Sequence, residues 1–348
     1  MREIHQLVHT LSYGDAISSE VVTLKNVFTE LGVSSEIYSI NTHPKYKGLT
    51  NHYSDFPKDF SGDVILHYSL GSELNELYRS LNEAKRTLIY HNLTPANWFK
   101  SVNARVYNDI KNGALELPDL LKLSDRVLAD SSFNKSELNH PCEVLPLPID
   151  PAKCNEPANE GIAQILKNDK KIHVLHVGRV APNKCIEDII KAFYFLHYHI
   201  DENSKLWLIG IDHDTELYSF GLKRLVQELH LSDSVEFLGR RSDSEVRAFY
   251  ENASVYVCAS EHEGFCLPLV EAMNFKIPIV AHNSSAVPET LGEAGILYQT
   301  KDPSELAEVL YLAATRYRES LIKAGEERVN QFSLDNFKLK VKGFFDCA

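Results

Sequence analysis

The chain has 348 residues, 44% of them hydrophobic and 24% charged, with a formal net charge of −12. That length exceeds the ~250–300 residues at which a single core stops growing, so two domains are expected. The acidic balance argues against general nucleic-acid binding, which needs a basic footprint, and no stretch approaches the ~18 apolar residues of a membrane-spanning helix.

The first segment, Met1-Arg2-Glu3-Ile4-His5-Gln6, lacks the apolar core of a signal peptide. The cysteines at 142, 154, 185, 258, 266 and 347 are scattered, with no C-x-x-C pair. They read as reduced thiols of a cytoplasmic protein and not as a disulfide or zinc framework.

Residues 4–9 read as a first strand, followed by a turn at Gly14 and a helix over 16–31. Further strands are expected at 35–40, 63–67, 87–91 and 126–129, the last running into a helix opened by Asp130-Ser131-Ser132. The stretch Val144-Leu145-Pro146-Leu147-Pro148-Ile149-Asp150-Pro151 stays extended, because proline fixes φ and biases the residue before it. It marks a boundary between domains at 1–150 and 151–331.

The pattern then restarts. Strands are expected at 172–177, 205–209, 235–238, 255–258 and 278–281. Ile186, Ile189, Ile190, Phe193 and Leu196 recur at helical spacing between the first two. Such alternation predicts an α/β fold with parallel sheets in both halves. A closing segment, 332–348, carries Phe337, Val341, Phe344 and Phe345 on one helical face. Between Arg79 and Lys111, six cations (Arg79, Lys85, Arg86, Lys100, Arg105, Lys111) meet only Glu83 and Asp109, with Trp98 and Phe99 among them. That stretch has two readings: a solvated helix face, or a surface for peripheral membrane contact and a lipid-linked acceptor.

The densest chemistry lies in Glu261-His262-Glu263-Gly264-Phe265-Cys266-Leu267-Pro268-Leu269-Val270-Glu271-Ala272-Met273. Pro268 suits the first turn of a helix, where its missing amide is no loss. Gly264 lets backbone approach a ligand, and the amides of Phe265, Cys266 and Leu267 face a positive helix end, which is an anion cradle. Carboxylates beside an anion are there to accept hydrogen bonds from hydroxyls, since like charges repel. Glu263 and Glu271 around a phosphate cradle therefore describe a nucleotide sugar.

Glu263 and Glu271, with seven residues between them including a Gly-Phe pair, resemble the E-x7-E signature of GT4-family retaining glycosyltransferases of GT-B fold. His176-Val177-Gly178-Arg179-Val180-Ala181-Pro182-Asn183-Lys184 resembles the same family's G-R-x4-K element. Two cations at a β–α turn can neutralise a diphosphate, the Arg by forked hydrogen bonds and the Lys as a point charge. His91, in Tyr90-His91-Asn92-Leu93-Thr94-Pro95, is similar to the family histidine that approaches the donor sugar; a core histidine capping a loop is the other reading. Ser12-Tyr13-Gly14-Asp15-Ala16 resembles the family's glycine loop only in part, and an Asp15 helix cap explains it as well. Gly239 closes the strand on which this fold seats the nucleobase, whereas Glu289 reads as structural. Lys276 stands where many family members have glycine, so a changed helix end is expected there.

The resemblance implies two Rossmann-like domains facing an interdomain cleft, with the tail helix packing back on the first domain. It implies transfer of a mannose- or glucose-type hexose from a GDP- or UDP-linked sugar to a glycan or lipid-linked acceptor, in surface polysaccharide assembly. The N-terminal domain would bind the acceptor and the C-terminal domain the nucleotide sugar. Glu271 would hold the ribose, and Glu263 and His91 the sugar. Arg179, Lys184 and the amides of Gly264, Phe265, Cys266 and Leu267 would hold the diphosphate. Front-face retention needs no dedicated nucleophile, no other cofactor and no metal. Accordingly Asp212-His213-Asp214 is read as a loop and not a cation site, and His5 with His9 as strand residues. A GT-B nucleotide-sugar 2-epimerase and a non-catalytic partner subunit are the rival readings.

Overall fold

The computed structural model describes residues 2–149 and 155–347. The chain divides into two units, one of Met1–Asn97, Ala104–Asp150 and Ser333–Ala348, the other of Trp98–Asn103 and Pro151–Phe332. Both Cys154 and the Asp150–Pro151 step expected as a boundary lie outside the described residues. The five described cysteines are free thiols.

In the first unit β1 (Ile4–Leu11), β2 (Ile37–Thr42), β3 (Thr50–His52), β4 (Asp63–Tyr68), β5 (Lys85–Tyr90), β6 (Arg126–Ala129) and β7 (Glu143–Val144) form one sheet, in the order β3-β2-β1-β4-β5-β6-β7. Every pairing is parallel. Continuous apolar runs make this possible: Val64, Ile65 and Leu66 of β4 are each at most 1% exposed, as a strand covered on both faces requires. The edge strands β3 and β7, of three and two residues, are too short to show a period in the sequence.

The second unit holds β8 (Ile172–Val177), β9 (Ser204–Ile209), β10 (Val235–Gly239), β11 (Val255–Cys258), β12 (Ile279–His282) and β13 (Ile296–Tyr298), ordered β10-β9-β8-β11-β12-β13. These pairings too are all parallel. Each sheet winds outward from its first strand and then resumes on the other side. The winding reverses between β1 and β4 in one unit and between β8 and β11 in the other. Such switch points are where open α/β sheets take ligands, beyond the carboxyl ends of the strands.

The helix Leu334–Phe345 is capped by Ser333, whose Oγ accepts from the Asn336 amide at 3.4 Å. It belongs to the first unit and buries Phe337, Val341 and Phe345 against Ile4, Phe28, Ile65 and Leu128. Full burial of side chains this size contributes roughly 1.5–3 kcal/mol each. The Phe28 and Phe345 rings meet edge to face, 5.2 Å apart.

In the basic stretch Phe99 is 3% exposed and Trp98 packs against the core of the second unit. Of its cations, Arg79 is paired to Glu76 and Glu116 and Arg105 to Asp109. One expectation is corrected: the helix end at Lys276 is not altered. Lys276 itself takes the left-handed conformation, φ 58°, that glycine usually supplies. Its amide donates to Met273 O at 3.1 Å and the Ile277 amide to Ala272 O at 3.0 Å, the paired bonds of a Schellman stop.

Candidate functional site

In the second unit the loops that follow β8 and β11 leave the sheet on either side of its switch point. Three bonds stitch them together. The Glu261 amide donates to Asn183 O at 2.9 Å, Asn183 Nδ2 donates to His262 O at 3.0 Å, and Lys184 Nζ pairs with Glu263 Oε1 at 2.6 Å. Ser260 Oγ donates to the same Glu263 oxygen at 2.7 Å, and the Glu263 amide donates to Ser285 Oγ at 2.8 Å. Glu263 is thus fixed at side chain and backbone, by serines that the sequence gives no reason to single out.

Burial opposes the charge on both partners of the pair, and the attraction between them outweighs it. The Glu263 carboxyl is held below its usual range despite desolvation, because Lys184 and Ser260 stabilise the anion. Lys184 is held above its usual range, against desolvation, by Glu263. The pair remains ionised at neutral pH and presents a cation and an anion side by side.

Arg179 lies one residue beyond Gly178 and donates from Nη2 to His213 O at 2.9 Å, which ties it to the loop after β9. That loop holds Asp212, His213 and Asp214 between β9 and the helix Glu216–Glu228, with Asp212 4.0 Å from Lys223 Nζ. Close approach of the β8 and β9 loops depends on Gly210, where a Cβ would stand 1.7 Å from Gly178 O. Gly210 is a residue the motifs do not flag. Gly239 ends β10 with φ 64°.

The helix Leu267–Asn274 starts as Pro268 predicts. Cys266 caps it in the left-handed conformation, φ 72°, without a side-chain bond to the helix amides. Among the described residues the amides of Phe265 and Cys266 donate to no backbone acceptor, which leaves donors at the positive helix end. Within the helix Glu271 is 5% exposed, and Tyr250 Oη donates to its Oε2 at 2.9 Å. Burial pushes the Tyr250 hydroxyl well above its usual range, and the Glu271 charge pushes it further, so Tyr250 stays a donor. Tyr250 went unseen because it sits 21 residues before its partner, on the helix Asp243–Asn252.

In the first unit Gly14 turns the chain with φ 81°, and Asp15 Oδ2 accepts from the Ser18 amide at 2.9 Å as the cap of the helix Ala16–Glu30. His91 follows β5, yet its side chain is only 1% exposed. Asp130 Oδ2 lies 3.0 Å from His91 Nδ1, and His67 Nδ1 lies 2.9 Å from His91 Nε2. The imidazole expected to meet a sugar thus stands inside the first unit, Nδ1 against Asp130 and Nε2 against His67.

Two parallel, doubly wound sheets, one with cations and carboxylates at its switch point, define the GT-B architecture of glycosyltransferases. Sucrose-phosphate synthase from Thermosynechococcus elongatus superimposes with a TM-score of 0.81 at 19% identity, over 99% of this chain and 98% of its own. Anabaena HepE, solved with UDP-glucose, gives 0.77 at 13% identity over the full length of both chains. At such identities the likeness establishes the fold. Residues 158–328 match the family described as Glycosyl transferases group 1. O-antigen chain mannosyltransferase B of Escherichia coli is 26% identical over 238 residues, which span 63% of this chain but only 60% of that relative.

Proposed function

We propose that this protein transfers a hexose from a nucleoside-diphosphate sugar to a glycan or lipid-linked acceptor, with retention of configuration. The second unit binds the donor. One observation carries the reading: the ionised Lys184–Glu263 pair joins the two switch-point loops, beside a helix start with unused amides. A diphosphate needs positive charge, and Lys184, Arg179 and the Leu267–Asn274 helix end supply it. The sugar and ribose need acceptors for their hydroxyls, and Glu263 and Glu271 supply those. As the glycosidic bond breaks, charge grows on the departing diphosphate, and fixed cations stabilise that charge without reorganising.

The cations replace the field that a divalent ion provides in other transferases. Donor chemistry accordingly proceeds without a metal at the diphosphate, and Asp212 and Asp214 take no part. The E. coli relative's name supports a mannosyl donor and a role in surface polysaccharide assembly, and the HepE complex supports a nucleotide-sugar co-substrate. With the His91 ring enclosed, donor contact is assigned to the second unit's residues. A role for the first unit in binding acceptor rests on the family resemblance.

A thermal-shift screen of UDP, GDP, ADP and their sugars tests this. Ligand at about 100 times its dissociation constant stabilises the folded state by about 2.7 kcal/mol, so one nucleotide series should raise the melting temperature clearly. Proton NMR of the product made from that donor should show an α-linked sugar when the donor is α-linked. Stabilisation by none of the nucleotides would sink the proposal.

A further inference from the structure

In the first unit, five elements bring an enclosed polar cluster together. Gln6 comes from β1, Glu20 from the helix Ala16–Glu30 and His67 from β4; His91 follows β5 and Asp130 follows β6. All five residues are at most 8% exposed. The hydrogen bonds around the two imidazoles fix their tautomers. Gln6 Nε2 donates to Val21 O at 3.1 Å, so Gln6 Oε1 is the atom 3.0 Å from His67 Nε2 and accepts its proton. His67 Nδ1 is then a bare lone pair. Asp130 Oδ2 can only accept from His91 Nδ1, 3.0 Å away, so in the neutral ring His91 Nε2 is bare as well.

Those two lone pairs face each other at 2.9 Å, the rings stacked 6° from parallel. Glu20 Oε2 lies 3.6 Å from His91 Nε2, and neither Glu20 oxygen has a hydrogen-bond partner. Three electron-pair donors converge within 4.8 Å of one another. An extra proton shared by the imidazoles would relieve their repulsion, but it would leave Glu20 without a donor. A divalent cation serves all three.

We propose that Glu20, His67 and His91 bind a zinc-type divalent cation that fixes the first unit's sheet to its first helix. Two histidines and a glutamate are a common zinc ligand set, and ligands about 2.0–2.1 Å from a tetrahedral ion stand about 3.3 Å apart. The separations of 2.9 and 3.6 Å bracket that value. The outer partners suit it too. Each ligating histidine gives its remaining N–H to a carboxylate or a carbonyl, which fixes the ring and raises its basicity. The charges balance, with the ion's two positive charges against Glu20 and Asp130. The second Glu20 oxygen is available for a fourth position. The ion sits among structural groups, and the proposed donor chemistry does not pass through it.

The test is metal analysis of full-length protein expressed in zinc- or cobalt-supplemented medium and purified without chelator. We expect one equivalent of metal per chain, with the visible absorption of four-coordinate Co(II) in the cobalt form. His67→Gln and Glu20→Gln should abolish stoichiometric binding. Asp130→Asn, which keeps all three ligands, should weaken it about 10–100-fold. Circular dichroism identifies any variant that fails to fold, and Asp130→Asn with wild type then decides. Metal-free wild-type protein, or binding untouched by the variants that fold, overturns the proposal in favour of a shared proton.

Discussion

The Glu271 carboxylate, proposed to hold a ribose, also accepts the buried Tyr250 hydroxyl at 2.9 Å, so on that proposal donor binding and folding share one residue. Glu271→Ala should lower donor affinity about 10–100-fold in a calorimetric titration, the equivalent of one lost charged hydrogen bond. It should also cost about 1–3 kcal/mol of stability, since the Tyr250 Oη is left without an acceptor. Tyr250→Phe should keep most of the stability and lose part of the affinity. An unchanged dissociation constant in Glu271→Ala would contradict the assignment. Arg179→Ala and Lys184→Ala act differently. Their cations matter most as charge develops, so turnover should fall further than affinity for the bare nucleoside. Steady-state kinetics beside binding measurements would reveal equal losses if the cations merely support the fold. His176 provides a pH signature. Burial lowers it from 6.5 to about 4, against the bond from Nδ1 to Val257 O at 3.0 Å. The unfolded chain takes up a proton in that window that the folded chain refuses. This residue's contribution is therefore complete above pH 6.5 and lost as pH falls towards 4, about 3 kcal/mol in all. Denaturant titrations at pH 7 and 4.5 should show a smaller difference for His176→Gln, and an unchanged difference would remove the residue from the account.

Helix ends and tight loops follow local rules, and this is where the sequence is most readable. Arg126–Ala129, Ile172–Val177, Val255–Cys258 and Ile186–Phe195 stand at the positions their apolar spacing predicts. Pro268 opens its helix because the lost amide lies outside the helical bonding. Elsewhere other physics takes over. The second strand begins at Ile37, two residues later than its composition suggests, because its register is fixed by pairing with β1, where Gln6 stands beside Ile37. At Lys276 a hydrogen-bonded helix stop imposes the left-handed backbone on a lysine. Lys276→Gly should therefore stabilise by about 0.5–1 kcal/mol, the relief of strain less the entropy that glycine loses on folding. The exposed pair with Glu326, at 2.6 Å, offsets little of this. Gly210→Ala should have the opposite sign. Its methyl would overlap the Gly178 carbonyl, forcing the Arg179 loop aside at a cost of about 3 kcal/mol or more. Thermal melts of both variants check the two signs.

Across the whole chain, the proposed donor side is legible in the sequence and the first unit's interior is not. Arg179, Lys184, Glu263 and Glu271 lie in short strings at β–α turns, so neighbouring residues carry their chemistry. Gln6, Glu20, His67, His91 and Asp130 come from separate elements, and only the β3-β2-β1-β4-β5-β6-β7 order brings them together. His91 was noticed for its place after a strand, but its partners could not be. Amide hydrogen exchange of the full-length protein, with and without the nucleoside diphosphate that stabilises it, tests the central claim most directly. The account predicts slowed exchange in 178–185 and 260–272, the loops after β8 and β11 and the helix start between Glu263 and Glu271. Saturating nucleotide that leaves those segments unprotected, while protecting others, would contradict it.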